Sequence, residues 1–141
     1  MKERSRGRAW AVQALYAWES RGGEEHTLIP ILDELAISPR NRFYADALLR
    51  IVSRNRAFID EVIERHLRNW SFDRLSVVDR NILRVGVAEL YFMDDVPPRV
   101  TIREMMRIAE TFGTPESPRF INGVLDAVMR EIETGGAAER R

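Results

Sequence analysis

Apolar positions recur along almost the whole chain at helical spacing. Ala11, Ala14, Leu15 and Trp18 follow an i, i+3, i+4, i+7 pattern, and Gly22-Gly23 closes this first helix. Leu28, Ile31, Leu32 and Leu35 predict a short second helix. Ser38-Pro39 then supplies an N-cap and a proline at the first helical position. A third stripe takes Phe43 or Tyr44, then Ala47, Leu48, Ile51 and Val52. Ile59, Val62, Ile63, His66 or Leu67, and Trp70 make a fourth, which can be read as continuous with the third. The fifth helix runs from about Leu75 to Met93 and stops before Pro97-Pro98, because proline lacks the amide donor and restricts its predecessor. Thr101-Ile102-Arg103-Glu104 reads as a capping box opening a sixth helix that Gly113 ends. Thr114-Pro115 caps a seventh, carrying Ile121, Val124, Leu125, Val128 and Ile132. No strand alternation or internal repeat interrupts this series. The expectation is an all-α bundle of about seven helices in one domain over residues 1–141, with a flexible tail over 135–141.

Two glycines fall inside helices, Gly86 and Gly123. Each costs about 1 kcal/mol against alanine in a helix interior. The fifth and seventh helices are therefore expected to cross near them.

Composition narrows the chemistry. There is no cysteine among the 141 residues, which removes disulfides, thiolate metal sites and cysteine nucleophiles. No apolar run reaches the roughly 18 residues that span a bilayer, and the N-terminus has no secretory apolar region, so a cytoplasmic location is expected. Neither a phosphate-binding GxxxxGK[ST] loop nor a GxGxxG motif is present. The two histidines, His26 and His66, do not sit in Glu-x-x-His pairs, so no metal or other cofactor is expected. His66 lies at the edge of an apolar stripe and reads as a satisfied boundary residue. Asp94-Asp95 reads as a solvated loop pair. An enzyme is not expected.

Charge is balanced overall, 22 basic against 22 acidic residues, but not locally. Lys2, Arg4, Arg6 and Arg8 precede the first helix with only Glu3 opposing them. On a helix Arg4 and Arg8 share a face one turn apart and could meet successive phosphates. Trp10 and Tyr16 follow in the same element, and planar rings beside guanidinium groups suit unstacked RNA bases. Against this stands a solvated terminus with Trp10 in the core. Arg119-Phe120, at the start of the last helix, is a second basic-aromatic pair, although core packing alone accounts for Phe120. Ser76-x-x-Asp79 reads as a helix cap, and Asp73 with Asp79 as an acidic docking rim is the competing reading.

Several runs resemble one family. Arg8-Ala9-Trp10-Ala11-Val12-Gln13-Ala14-Leu15-Tyr16 resembles the opening of NusB transcription antitermination proteins. So do Val78-Asp79-Arg80-Asn81-Ile82-Leu83-Arg84 with Glu89-Leu90, Val96-Pro97 leading to Val100-Thr101-Ile102, and the specific closing run Phe120-Ile121-Asn122-Gly123-Val124-Leu125-Asp126. The resemblance implies two helical subdomains side by side, about 1–70 and 71–134, and a non-enzymatic bacterial role. It implies pairing with the ribosomal protein NusE, binding of boxA-containing single-stranded RNA in nascent ribosomal transcripts, and indirect association with other Nus factors and RNA polymerase, suppressing termination. Carried over by residue, it implies RNA contacts at Lys2, Arg4, Arg6, Arg8, Tyr16, Glu116, Arg119 and Phe120, and partner contacts at Asp73 and Asp79. Arg103 stands where the family often has asparagine, and Glu3 and Gly7 interrupt the basic arm.

Two other functions compete. A similar helical module precedes the catalytic domain of some rRNA cytosine methyltransferases, but a chain ending at Arg141 is expected to lack the cofactor-binding domain. The other is a homodimeric scaffold without RNA, for which the fifth helix would be the contact face.

Overall fold

The computed structural model describes residues 2–69 and 71–135. Trp70 and the tail expected over 136–141 lie outside the described residues. The described chain is all-helical, with six α-helices: α1 (Lys2–Ser20), α2 (Ile31–Glu34), α3 (Pro39–Arg65), α4 (Val77–Phe92), α5 (Pro98–Phe112) and α6 (Ser117–Glu133). Two single 3₁₀ turns, Glu25–Thr27 and Phe72–Arg74, sit between them. The count is six rather than seven because the third and fourth stripes share one helix. Asn55, at φ −126° and ψ 23°, bends α3 without breaking it. Its side-chain amide donates to the Ile51 carbonyl at 2.9 Å, satisfying an acceptor where the ladder is disturbed. At the start of α3 the ambiguity resolves to Tyr44, which is buried, while Phe43 is 80% exposed.

α4 is the central rod. It packs against α1, α3, α5 and α6, and every residue from Asn81 to Tyr91 is buried. Of this helix only the first turn, Val77 to Arg80, and Phe92 are partly exposed. Ser76 caps it: the Asp79 amide donates to Ser76 Oγ at 3.1 Å. Gly86 lies where α4 meets α6 and α5. A Cβ there would sit 2.8 Å from Leu125 Cδ1 and 3.2 Å from Met105 Cγ. The expected close crossing is therefore real on the α4 side. It does not involve Gly123, whose missing Cβ would meet nothing within 4 Å.

The capping box at Thr101 is corrected. Pro98 occupies the first turn of α5 and Pro97 is its N-cap, so Thr101 already lies inside the helix. The Thr101 hydroxyl donates instead to Glu89 Oε1 at 2.6 Å. α6 likewise starts later than Thr114-Pro115 suggests. Glu116 is its N-cap residue and Pro118 stands in its first turn, while Ser117 Oγ accepts from the Thr114 amide at 3.0 Å.

Two polar clusters pin α1 to the bundle from opposite ends. Near its C-terminal end, Glu19 accepts from Arg80, Asn81 and Arg84, and Arg84 continues to Asp60 at 2.9 Å. Near its start, Arg8 is clamped as described below. His66 is satisfied as expected, with Nδ1 2.8 Å from the Val62 carbonyl and Nε2 3.2 Å from Glu131.

Candidate nucleic-acid interface

The basic run is the first two turns of α1, not an arm ahead of it. Helical geometry then sorts its cations by direction. Gly7 faces α3 so closely that a Cβ would lie 2.9 Å from Tyr44 Cβ and 3.1 Å from the Asn41 carbonyl oxygen. The glycine interrupting the run is thus a packing requirement. Glu3, the other interruption, pairs with Arg40 at 3.3 Å.

Arg8 turns inward. Its side chain is 4% exposed, and Nε donates to both Glu89 oxygens, at 3.0 and 2.8 Å. Glu89 also accepts from Tyr44 Oη at 2.5 Å and Thr101 Oγ1 at 2.6 Å, and Glu104 lies 3.5 Å from Arg8 Nη1. One carboxylate therefore joins α1, α3, α4 and α5. Burial, and secondarily the hydrogen bond to Glu89, pushes the Tyr44 phenol well above its usual range. The shared phosphate-facing surface expected for Arg4 and Arg8 does not exist, because the Arg8 guanidinium is engaged by carboxylates inside the bundle.

Arg4 takes an intermediate place. It stacks over the Tyr44 ring at 4.9 Å and donates to Asp95 at 2.9 Å. That hydrogen bond holds the Asp95 carboxyl below its ordinary range. Asp95 is therefore not merely solvated. Lys2 and Arg6 point outward, and among the described residues neither makes an ion pair.

These cations open onto the seam between α1 and α5. At the start of both helices the seam widens into a cleft of about 770 Å³, lined by Lys2, Arg4, Arg6, Pro97, Arg103 and Arg107 among others. Arg103 is exposed and makes no ion pair among the described residues, whereas Arg107 approaches Glu104 at 3.7 Å. The α5 arginines line the same cleft and are candidate site residues that sequence spacing missed. They meet the arm only through the packing of α5 beside α1.

Tyr16, 48% exposed, stands at the far end of the same seam. With Phe112, Val12, Gln13, Leu35 and Val78 it lines an apolar groove of about 360 Å³. Ten residues separate it from Arg6, a helical rise of about 15 Å. Next to this groove a cleft of about 210 Å³ holds Asp79, Arg74, Glu116 and Phe120. Asp79, expected to face a protein, is thus beside Glu116 and Phe120, expected to face RNA. Asp79 Oδ1 is a buried oxygen with no hydrogen-bond partner among the described residues. Asp73 is exposed in the second 3₁₀ turn. Arg119 is exposed on α6 and lines neither the cleft at the start of the seam nor the groove at Tyr16, so it and the basic run do not form one patch.

Exposed cations, exposed rings and the Asp79 Oδ1 oxygen without a partner among the described residues stand around one seam of an all-helical bundle, and comparison with known proteins gives the class as transcription antitermination proteins. The NusB family profile matches residues 5–130, and the chain belongs to the NusB family. Transcription antitermination protein NusB of Geobacter sulfurreducens is 40% identical over 138 residues, covering 96% of this chain and 100% of its own length. A solved structure of T. maritima NusB shares 42% identity over 91% of each chain, with a TM-score of 0.80. A crystal structure of antitermination factors NusB and NusE in complex with dsRNA also matches. It is 32% identical, covers 92% of this chain and 98% of that one, and has a TM-score of 0.80.

Proposed function

We propose that this chain pairs with ribosomal protein NusE to bind boxA-containing single-stranded RNA in nascent ribosomal transcripts, and that the complex suppresses termination by RNA polymerase, with other Nus factors joining indirectly. The observation that carries the reading is the α1–α5 seam, where Lys2, Arg6 and Arg103 stand without ion pairs among the described residues at one end and Tyr16 is exposed at the other. Unpaired guanidiniums bind phosphates without first breaking an internal pair, and an exposed ring offers a base a stacking surface. Arg4 joins them by exchanging Asp95 for a phosphate. Arg8 acts one step back, fixing the angle of α1 through Glu89.

Glu116, Arg119 and Phe120 extend the RNA surface around the end of the bundle. Asp73 and Asp79 face NusE, and the unpartnered Asp79 Oδ1 awaits a donor from that protein. The solved complex of a similar NusB with NusE and dsRNA supports a protein and an RNA as the two ligand classes.

The test is a pull-down of NusE by this chain with and without boxA RNA. Retention of NusE, strengthened by the RNA and lost on Asp79→Arg in a folded protein, is the expected result. Equal NusE retention by Asp79→Arg removes the acidic rim from the interface.

A further inference from the structure

One glycine is unexplained by the fold. Gly7 and Gly86 each leave room for a neighbouring helix, and a Cβ at Gly113 would collide with the Ser117 side chain at 2.6 Å. Gly123 sits in the middle of α6, exposed, with empty space where its Cβ would be. Helix stability alone would favour alanine there. Its surroundings are a cleft of about 340 Å³ between α6 and the chain just after α3, with Arg119, Phe120 and Ala127 on one wall and Leu67, Arg68 and Asn69 on the other. Arg68, Asn69 and Arg119 are exposed, and among the described residues neither arginine makes an ion pair. His66, at the inner end, is already held by Val62 and Glu131.

We infer that this cleft receives the sugar–phosphate backbone of the bound RNA strand, with Arg68 and Arg119 gripping a phosphate from either side while the bare backbone at Gly123 lets the strand come close. This rests on the RNA reading above and extends it to residues on the other side of Phe120. Charge decides the occupant. Two guanidiniums and a carboxamide present donors with no carboxylate among the cleft residues, a set that suits a phosphodiester. Phe120 lines both this cleft and the one holding Asp79 and Glu116, so a strand leaving that cleft over the Phe120 ring enters this one. The phosphate contacts add affinity and register without reading sequence.

Four variants in the full chain, each with NusE and fluorescent boxA RNA, test the inference. Gly123→Ala should raise the thermal midpoint by about 3 °C yet weaken RNA binding, because the two effects have different origins. Gly123→Leu should weaken RNA binding about tenfold or more. Arg68→Gln should make the log–log salt slope shallower by about 0.7, the increment for one single-strand phosphate contact. Arg6→Gln serves as the reference for the main surface. If Arg6→Gln weakens RNA binding while Arg68→Gln and Gly123→Leu bind like wild type, the cleft assignment is overturned and the main surface stands. If wild type binds no RNA, both fall. Loss of NusE retention by Gly123→Leu with RNA affinity intact would assign the cleft to protein and overturn the RNA inference.

Discussion

Arg6 and Arg8 are the same residue type two positions apart on one helix, and they do opposite jobs. Arg8 faces Glu89 in the middle of the bundle, with its side chain 4% exposed. Arg6 faces outward over the α5 arginines without an ion pair among the described residues. Two residues along a helix is a rotation of about 200°, enough to carry a side chain from core to solvent. A basic run on a helix is therefore two populations, one building the platform and one displayed on it. Counting its charges overstates its capacity for phosphate.

The contrast can be broken most severely at Arg8. Arg8→Ala leaves the Glu89 carboxylate buried without its cation, and the expected loss is about 3–5 kcal/mol of unfolding free energy, read by urea denaturation. RNA affinity would fall with the platform. Wild-type stability in this variant would mean that Glu89 is satisfied without Arg8. Gly7→Ala, on the same inner face, should cost about 1–3 kcal/mol by forcing α1 away from Tyr44, measured the same way. An unchanged midpoint would show that α1 can shift freely against α3.

Arg4→Gln should cost at most about 1 kcal/mol, the range of exposed ion pairs. Its dependence on pH has a definite sign. Arg4 lowers the folded-state Asp95 pKa below the unfolded value, so the pair contributes fully above the unfolded carboxylate pKa and fades as pH falls through the folded one. Thermal midpoints of Arg4→Gln and wild type should converge at low pH; a gap that widens there would contradict the pair. The same sign applies at Glu131, held down to about 2 chiefly by the Arg65 hydrogen bond, with Tyr91 and His66 also facing it. Its contribution should persist until pH falls from the unfolded value near 4.5 toward 2, and Glu131→Gln should remove that slope. Smallest in stability is Arg6→Gln, expected to change unfolding by less than about 0.5 kcal/mol.

Helix positions were legible because apolar stripes repeat at helical spacing and because Ser76, Pro39 and Gly113 mark ends locally. The Thr101-x-x-Glu104 motif misled because its two side chains were claimed from outside the helix. Thr101 bonds Glu89 and Glu104 approaches Arg8. The Arg8–Glu89 pair spans 81 residues, beyond the reach of any local pattern. One signal was available: Glu89 is the lone acid in the otherwise apolar stretch from Val85 to Tyr91, and a carboxylate in such a helix needs a buried cation. Arg103 and Arg107 were invisible as site residues for the opposite reason. Their spacing is ordinary for an exposed helix face, and only the packing of α5 beside α1 brings them to the arm. Gly123 reads as a second crossing point, but within the fold nothing approaches it, since the cost of a helix-interior glycine does not by itself identify a neighbour.

The outward population can be tested in a single titration series. RNA affinity, measured with NusE across a range of salt concentrations, is compared between wild type and a Lys2→Gln, Arg6→Gln, Arg103→Gln variant of the same thermal stability. Removing three phosphate contacts should make the log–log slope shallower by about 2, with the thermal midpoint unchanged. Superimposable salt curves for the two proteins would show that the RNA does not lie along the α1–α5 seam.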